Sequence, residues 1–156
     1  GLNQENTLRN NYVSQFKKMG RILGVDYGDS RIGLALSDPN KIIASPFKTI
    51  KNKGFDSTKK DIFNIIRENK VELIVLGLPV SMSGTETNQT KKVRKFQRFI
   101  QDFDIPIEMQ DERLSSLTAK KSLIQQKIKT GHNKHFIDST AAAIFLQQYL
   151  DSKIQK

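Results

Sequence analysis

The chain has 156 residues and no cysteine, and its 26 Lys+Arg outweigh 16 Asp+Glu to give a formal net charge of +10 and a pI near 9.8. That length suits one domain whose core needs no staples, and the missing cysteine excludes disulfides, thiolate zinc sites and a cysteine nucleophile while fitting a cytoplasmic location. With no apolar run of membrane-spanning length and no helix pairing a broad apolar face with a wholly basic one, so basic a chain expects a nucleic acid as its polyanionic partner, not a membrane surface.

Residues 1–18, GLNQENTLRNNYVSQFKK, are polar with scattered apolar positions. They are expected to form a flexible extension or a tag remnant, with Met19 as a candidate start and a single domain over 19–156. Arg21 to Asp38, RILGVDYGDSRIGLALSD, then reads as a strand ending at Asp26, a tight turn through Gly28, and a second strand from Arg31 to Ser37. Ile22 to Val25 predict a strand covered on both faces, where a terminal carboxylate is costly unless a cation meets it. Ligands of α/β sheets sit beyond the carboxyl ends of the strands, which makes Asp26 the first candidate metal ligand. The alternative is that Asp26 only supports the turn by bonding the backbone two residues on. The D-x-G turn is also similar to the phosphate loop of actin-like sugar kinases, but those need two such domains around their cleft, and the length argues against them.

Lys41–Ile50 (KIIASPFKTI) predicts a third strand that Pro46 demotes to an edge or a bulge, completing an antiparallel meander. The loop KNKGFDSTKK, with Lys51, Lys53, Lys59 and Lys60, reads as solvated. Asp56 or Ser57 is placed to cap a helix with Ile62, Ile65 and Ile66 on one face. Glu72–Leu78 (ELIVLGL) is then a buried parallel strand, the helix between two strands forming the crossover that a parallel pair requires.

After the loop LPVSMSGTETN the pattern predicts a helix from Thr87 to Phe103, with Val93, Phe96, Ile100 and Phe103 as its apolar stripe. Lys91, Lys95 and Arg98 line another face with Lys92 and Arg94 beside them: five cations in eight residues without a compensating acid, expected to face phosphate. Ile105–Gln110 is a last strand, ending in Asp111, Glu112 and Arg113. Ser115 and Ser116 can start a helix to Gln126, and KIKTGHNKH is a basic loop, including Lys134, placed over the substrate. His132 and His135 lack zinc spacing. FIDSTAAAIFLQQYL is a final helix against the sheet, apolar around most of its circumference. Asp138 shares a face there with Ala141, Ala142 and Phe145, unless it serves the helix N-terminus as a cap. Ala141–Ala143 predict a close approach to another backbone. No G-x-S-x-G elbow or Walker A sequence is present.

Four segments, GVDYGDSRIGLALSD, GLPVSMSGTE, DERLSSLTA and FIDSTAAAIFLQQYL, together resemble the YqgF family of Holliday-junction-resolvase-like proteins, also described as pre-16S rRNA nucleases. The resemblance runs from Gly20 to Leu150 in motif order and spacing, departing mildly where Ser115-Ser116 replaces the commoner Thr pair. It implies an α/β, ribonuclease H-like fold with a central five-stranded mixed sheet flanked by helices. It also implies catalytic, metal-holding acids: Asp26 from D-x-G, Glu112 (or its neighbour Asp111) from DER, and Asp138 from the last helix. Hard oxygen ligands suit Mg²⁺ or Mn²⁺ over zinc, so the expected reaction is metal-dependent hydrolysis of a phosphodiester bond. Arg31, Arg113 and the Lys91–Arg98 face would position phosphates, although Arg113 can equally pair with Asp111. The expected substrate is structured RNA, the precursor of 16S rRNA cut near its 5' end in ribosome biogenesis, with ribosomal particles as partners and a monomer sufficing. The alternatives are resolution of branched, four-way DNA, which asks for a homodimer making two coordinated cuts, and a nucleic-acid-binding factor that does not cut.

Overall fold

The computed structural model describes residues 3–4, 20–112 and 134–154, the side chains of 134–136 and 154 excepted. Outside them lie the rest of the 1–18 extension, Arg113, the helix expected from Ser115, most of the basic loop with His132, and the Lys134 and His135 side chains. The elements run β1 Arg21–Tyr27, β2 Arg31–Ser37, β3 Ala44–Lys51, α1 Phe55–Glu68, β4 Val71–Leu78, α2 Asn88–Phe99 with a 3₁₀ turn Ile100–Phe103, β5 Ile107–Asp111 and α3 Lys134–Ile154.

The strands form one sheet in the order β3-β2-β1-β4-β5. β1–β2 and β2–β3 are antiparallel, whereas β1–β4 and β4–β5 are parallel, the latter two joined through helical crossovers. Alternation along β1 explains why its run is apolar throughout. Leu23 and Val25 enter a core with Ile62, Ile65 and Ile66 of α1 and Val93 and Phe96 of α2, while Ile22 joins Ala142, Phe145 and Leu146 of α3 on the other face. The result is a helix–sheet–helix sandwich. Among the described residues no helix is long and apolar enough to cross a membrane.

β3 is an edge strand, and its register against β2 shifts where Leu34↔Lys48 gives way to Ala35↔Pro46, so the proline sits both at an edge and at a bulge. Neither Asp56 nor Ser57 caps α1, whose N-cap is Gly54 at φ 102, a conformation glycine adopts without strain. Asn52 secures this corner: its Oδ1 accepts from the Gly54 N–H at 3.2 Å, and its Nδ2 donates to the Gly28 carbonyl at 2.8 Å. The loop read as merely solvated is therefore tied to the β1–β2 turn. α2 starts with a capping box between Thr87 and Thr90. α3 begins at Lys134, two residues before the apolar pattern, so Asp138 lies beyond the first turn and away from the capping position.

Candidate active site

Asp26 is half-buried at the carboxyl end of β1, and alternation puts it on the α3 face with Ile22 and Gly24. Its cross-strand partner on β2 is Gly33; on the other side, one step past the paired Val25↔Leu76, stands Gly77 of β4. The carboxylate is thus flanked in the sheet by two residues without side chains.

Both gaps are filled by the other two acids. A Cβ on Gly33 would run into the Asp138 carbonyl and come within 3.0 Å of the Asp138 Cβ, so α3 rests its backbone on the sheet beside Asp26. A Cβ on Gly77 would strike Glu112 Oε1 and lie 2.9 Å from Phe145 Cε1. Glu112, whose N–H bonds the Leu78 carbonyl at 3.3 Å just past β5, therefore lays its carboxylate over β4 on the α3 face. Asp111, paired with Leu78, follows the alternation of Ile107 and Met109 toward the α1/α2 core. A third close approach lies one turn along: Ala142 O and Leu146 Cβ come within 3.2 and 3.1 Å of a Cβ on Gly24, as the alanine run predicts.

Asp138 Oδ2 accepts a hydrogen bond from Arg31 Nε at 2.7 Å, in a pair whose side chains are 25% and 36% exposed. Arg31 shares the α3 face with Gly33 and Ala35, so this pair joins the start of β2 to α3 at the same end of the sheet as Asp26. Among the described residues no three Asp, Glu or His side chains are close enough together to hold one ion. Asp138 and Glu112 each back a glycine neighbour of Asp26, a paired-glycine cradle, with the Asp138 carboxylate turned to Arg31. The donor set still fits a hard divalent cation, being all carboxylate. Behind the cradle, burial pushes the Tyr149 phenol far above its usual value, and the hydrogen bond and charge of Glu108 push it further, tying α3 to β5.

The basic helix is less open than its composition predicts. Lys92 pairs with Asp29 at 3.2 Å, Arg94 with Glu86, and Lys95 lies over the Phe55 ring with its Nζ 5.6 Å from the centroid. The compensating acids absent from the helix come from the β1–β2 turn and from the loop before α2. Lys91 and Arg98 make no ion pair among the described residues and stay exposed.

A family profile described as "RuvX: Holliday junction resolvase" matches residues 20–152. The chain belongs to the RuvX family. This RuvX chain is 43% identical over 132 residues to a protein of Clostridium kluyveri named "Putative pre-16S rRNA nuclease", the match covering 84% of this chain and 96% of that one. It is 42% identical over 133 residues to a protein of the same name from Desulforamulus reducens, covering 85% and 97%. Among solved structures it superposes on Thermus thermophilus RuvC in complex with a Holliday junction substrate with a TM-score of 0.57, 11% identity and coverage of 86% and 96%. The yeast mitochondrial Holliday junction resolvase Ydc2 gives 0.52 at 12% identity, covering 88% and 80%. The fold is the ribonuclease H-like fold of these resolvases, five mixed strands between helices.

Gly33 and Gly77 are the site residues that sequence reading does not single out. The only trace they leave is a glycine within an otherwise apolar strand, which marks a close approach without naming what approaches.

Proposed function

We propose that this protein is a metal-dependent endonuclease that hydrolyses phosphodiester bonds in structured RNA, processing the 5' end of pre-16S rRNA, and that Asp26, Glu112 and Asp138 are its metal-holding acids. The observation that carries the reading is the paired-glycine cradle: Asp26 lies between two strand positions stripped of side chains, one backed by Asp138 and the other by Glu112. Asp138 and Glu112, from distant parts of the chain, back the strand neighbours of Asp26 at the carboxyl edge of the sheet, where α/β proteins bind ligands, and this supports the reading. The names of the relatives favour the RNA substrate.

Mg²⁺ or Mn²⁺, when bound, supplies an activated water and stabilises the leaving oxygen. Asp26 offers its carboxylate from a strand end, and Glu112 lies over Gly77. Asp138 is carried by α3, whose height above the sheet is set by Gly33 and Gly24. Lys91 and Arg98 offer charge to neighbouring phosphates. β4 itself presents only Gly77 to the site, so the acid over it comes from the β5 end instead.

The test is cleavage of structured RNA and of four-way DNA junctions in Mg²⁺, Mn²⁺ or EDTA by wild type and Asp26→Asn. RNA cleavage that needs the metal and Asp26 is the expected result. Preference for the junction would move the substrate to DNA, and salt-dependent binding with no cleavage of either would leave a binding factor.

A further inference from the structure

We propose that Arg31 is a resident counter-ion of the site: it neutralises Asp138 until a divalent ion binds, and then turns to a substrate phosphate, coupling metal loading to nucleic-acid binding. The inference rests on the divalent-site reading above. Arg31 reaches Asp138 through Nε alone, at 2.7 Å. A guanidinium has five N–H donors in a fixed fork, so the terminal amino groups are not used in this bond. They make no hydrogen bond among the described residues, and the side chain is 36% exposed. A planar fork on a partly exposed side chain beside a carboxylate site has the shape that takes phosphate oxygens two at a time.

The electrostatics give the pair its consequence. Asp138 stands one strand spacing from Asp26, because its backbone rests on Gly33, the cross-strand partner of Asp26. A divalent ion held by these acids would be repelled by the guanidinium; for a separation on the order of 6 Å, that repulsion weakens binding about tenfold even at the dielectric of water. A phosphate placed between guanidinium and ion turns the repulsion into two attractions. Metal and nucleic acid therefore each strengthen the other by the same factor. A pair that only ties α3 to β2 would stay bonded with the metal present, and its Nε–H would not respond to the ion.

The test is Mn²⁺ binding without nucleic acid, followed by calorimetry for wild type, Arg31→Gln, Arg31→Lys and Asp26→Asn. Arg31→Gln is expected to bind Mn²⁺ about tenfold tighter than wild type and Arg31→Lys to stay within about twofold. An Arg31→Gln affinity equal to or below wild type overturns the proposal. A second measurement uses the wild-type protein alone: the Arg31 Nε–H nuclear magnetic resonance signal, assigned by its loss in Arg31→Lys, should lose its hydrogen-bonded shift when Mg²⁺ is added. A signal unmoved at saturating Mg²⁺ also overturns it. If Asp26→Asn loses Mn²⁺ while Arg31→Gln matches wild type, only the counter-ion role fails. If wild type binds no Mn²⁺, the divalent-site reading fails and takes this inference with it.

Discussion

Replacing Gly33 and Gly77 in turn by alanine separates the architecture of the site from its chemistry. At Gly33 the new methyl meets helix backbone, the Asp138 carbonyl, which cannot rotate away. α3 must lift from the sheet across a contact that includes Ala142 and Phe145, both fully buried. Overpacking of this kind costs about 1–3 kcal/mol, and a backbone obstacle places Gly33→Ala at the upper end. The gain of about 0.4–1 kcal/mol from stiffening the unfolded chain does not offset it. A net loss of about 2–3 kcal/mol lowers the melting temperature of a domain this size by roughly 4–12 °C. At Gly77 the obstacle is the far end of a flexible side chain, Glu112 Oε1, with the edge of the Phe145 ring at 2.9 Å. The carboxylate can swing out but the buried Phe145 ring must also give, so the stability loss should be about 1–2 kcal/mol, below that at Gly33, whereas displacing a catalytic group by about 1 Å costs roughly 100-fold in rate. Thermal melts and metal-dependent cleavage, measured on both variants, read the two effects separately. Gly77→Ala with wild-type cleavage, or Gly33→Ala melting within about 2 °C of wild type, refutes the reasoning.

Glu112→Gln should lower metal-dependent cleavage at least about 100-fold, while Asp111→Asn, on the other face of β5, changes it less than about threefold; equal losses would place both acids at the site. Lys91→Ala with Arg98→Ala should reduce the slope of log affinity against log salt by about 1.4–1.8, whereas Lys92→Ala, already paired with Asp29, should do less; identical slopes would return the helix to a solvated face. Asp38 accepts from the Ile42, Ile43 and Asn40 N–H groups at 2.7, 2.8 and 3.1 Å, and the Ile43 bond leads the causes that lower its pKa below 3.8. A depressed carboxylate pKa stabilises the fold above the unfolded value and loses that contribution as pH falls through the folded one. Asp38→Ala should therefore cost about 1 kcal/mol at pH 7, discounted for exposure, and the gap from wild type in denaturant melts should close below about pH 4; a gap that persists at pH 2 contradicts this.

The order of the elements along the chain was legible because it rests on local pattern. The apolar run at Ile22–Val25 shows a strand covered on both faces, the Ile62, Ile65 and Ile66 spacing shows a helix with one buried face, and the short connections show a meander. The acids at strand ends were legible one at a time for the same reason. Alternation shows that Asp111 and Glu112 face opposite ways but not which face carries α3; that follows only from the assembled sheet. The Arg31–Asp138 pair spans 107 residues, and the obstacle at Gly33 comes from a helix equally far along the chain. No local period encodes either contact. The acids that meet Lys92 and Arg94 lie outside α2, so a helix read alone looks more positive than it is. Gly54 replaced Asp56 as cap because Asn52 anchors the corner from before the helix.

The central claim is that Asp26, Glu112 and Asp138 bind a divalent ion in the cradle between Gly33 and Gly77. Anomalous diffraction from crystals grown with Mn²⁺ tests it most directly. A peak within about 2.0–2.2 Å of oxygens from Asp26 and at least one of the other two acids is the predicted result. Anomalous density only at surface carboxylates such as Asp102 or Glu86, with this cradle empty at a Mn²⁺ concentration that supports cleavage, would contradict it.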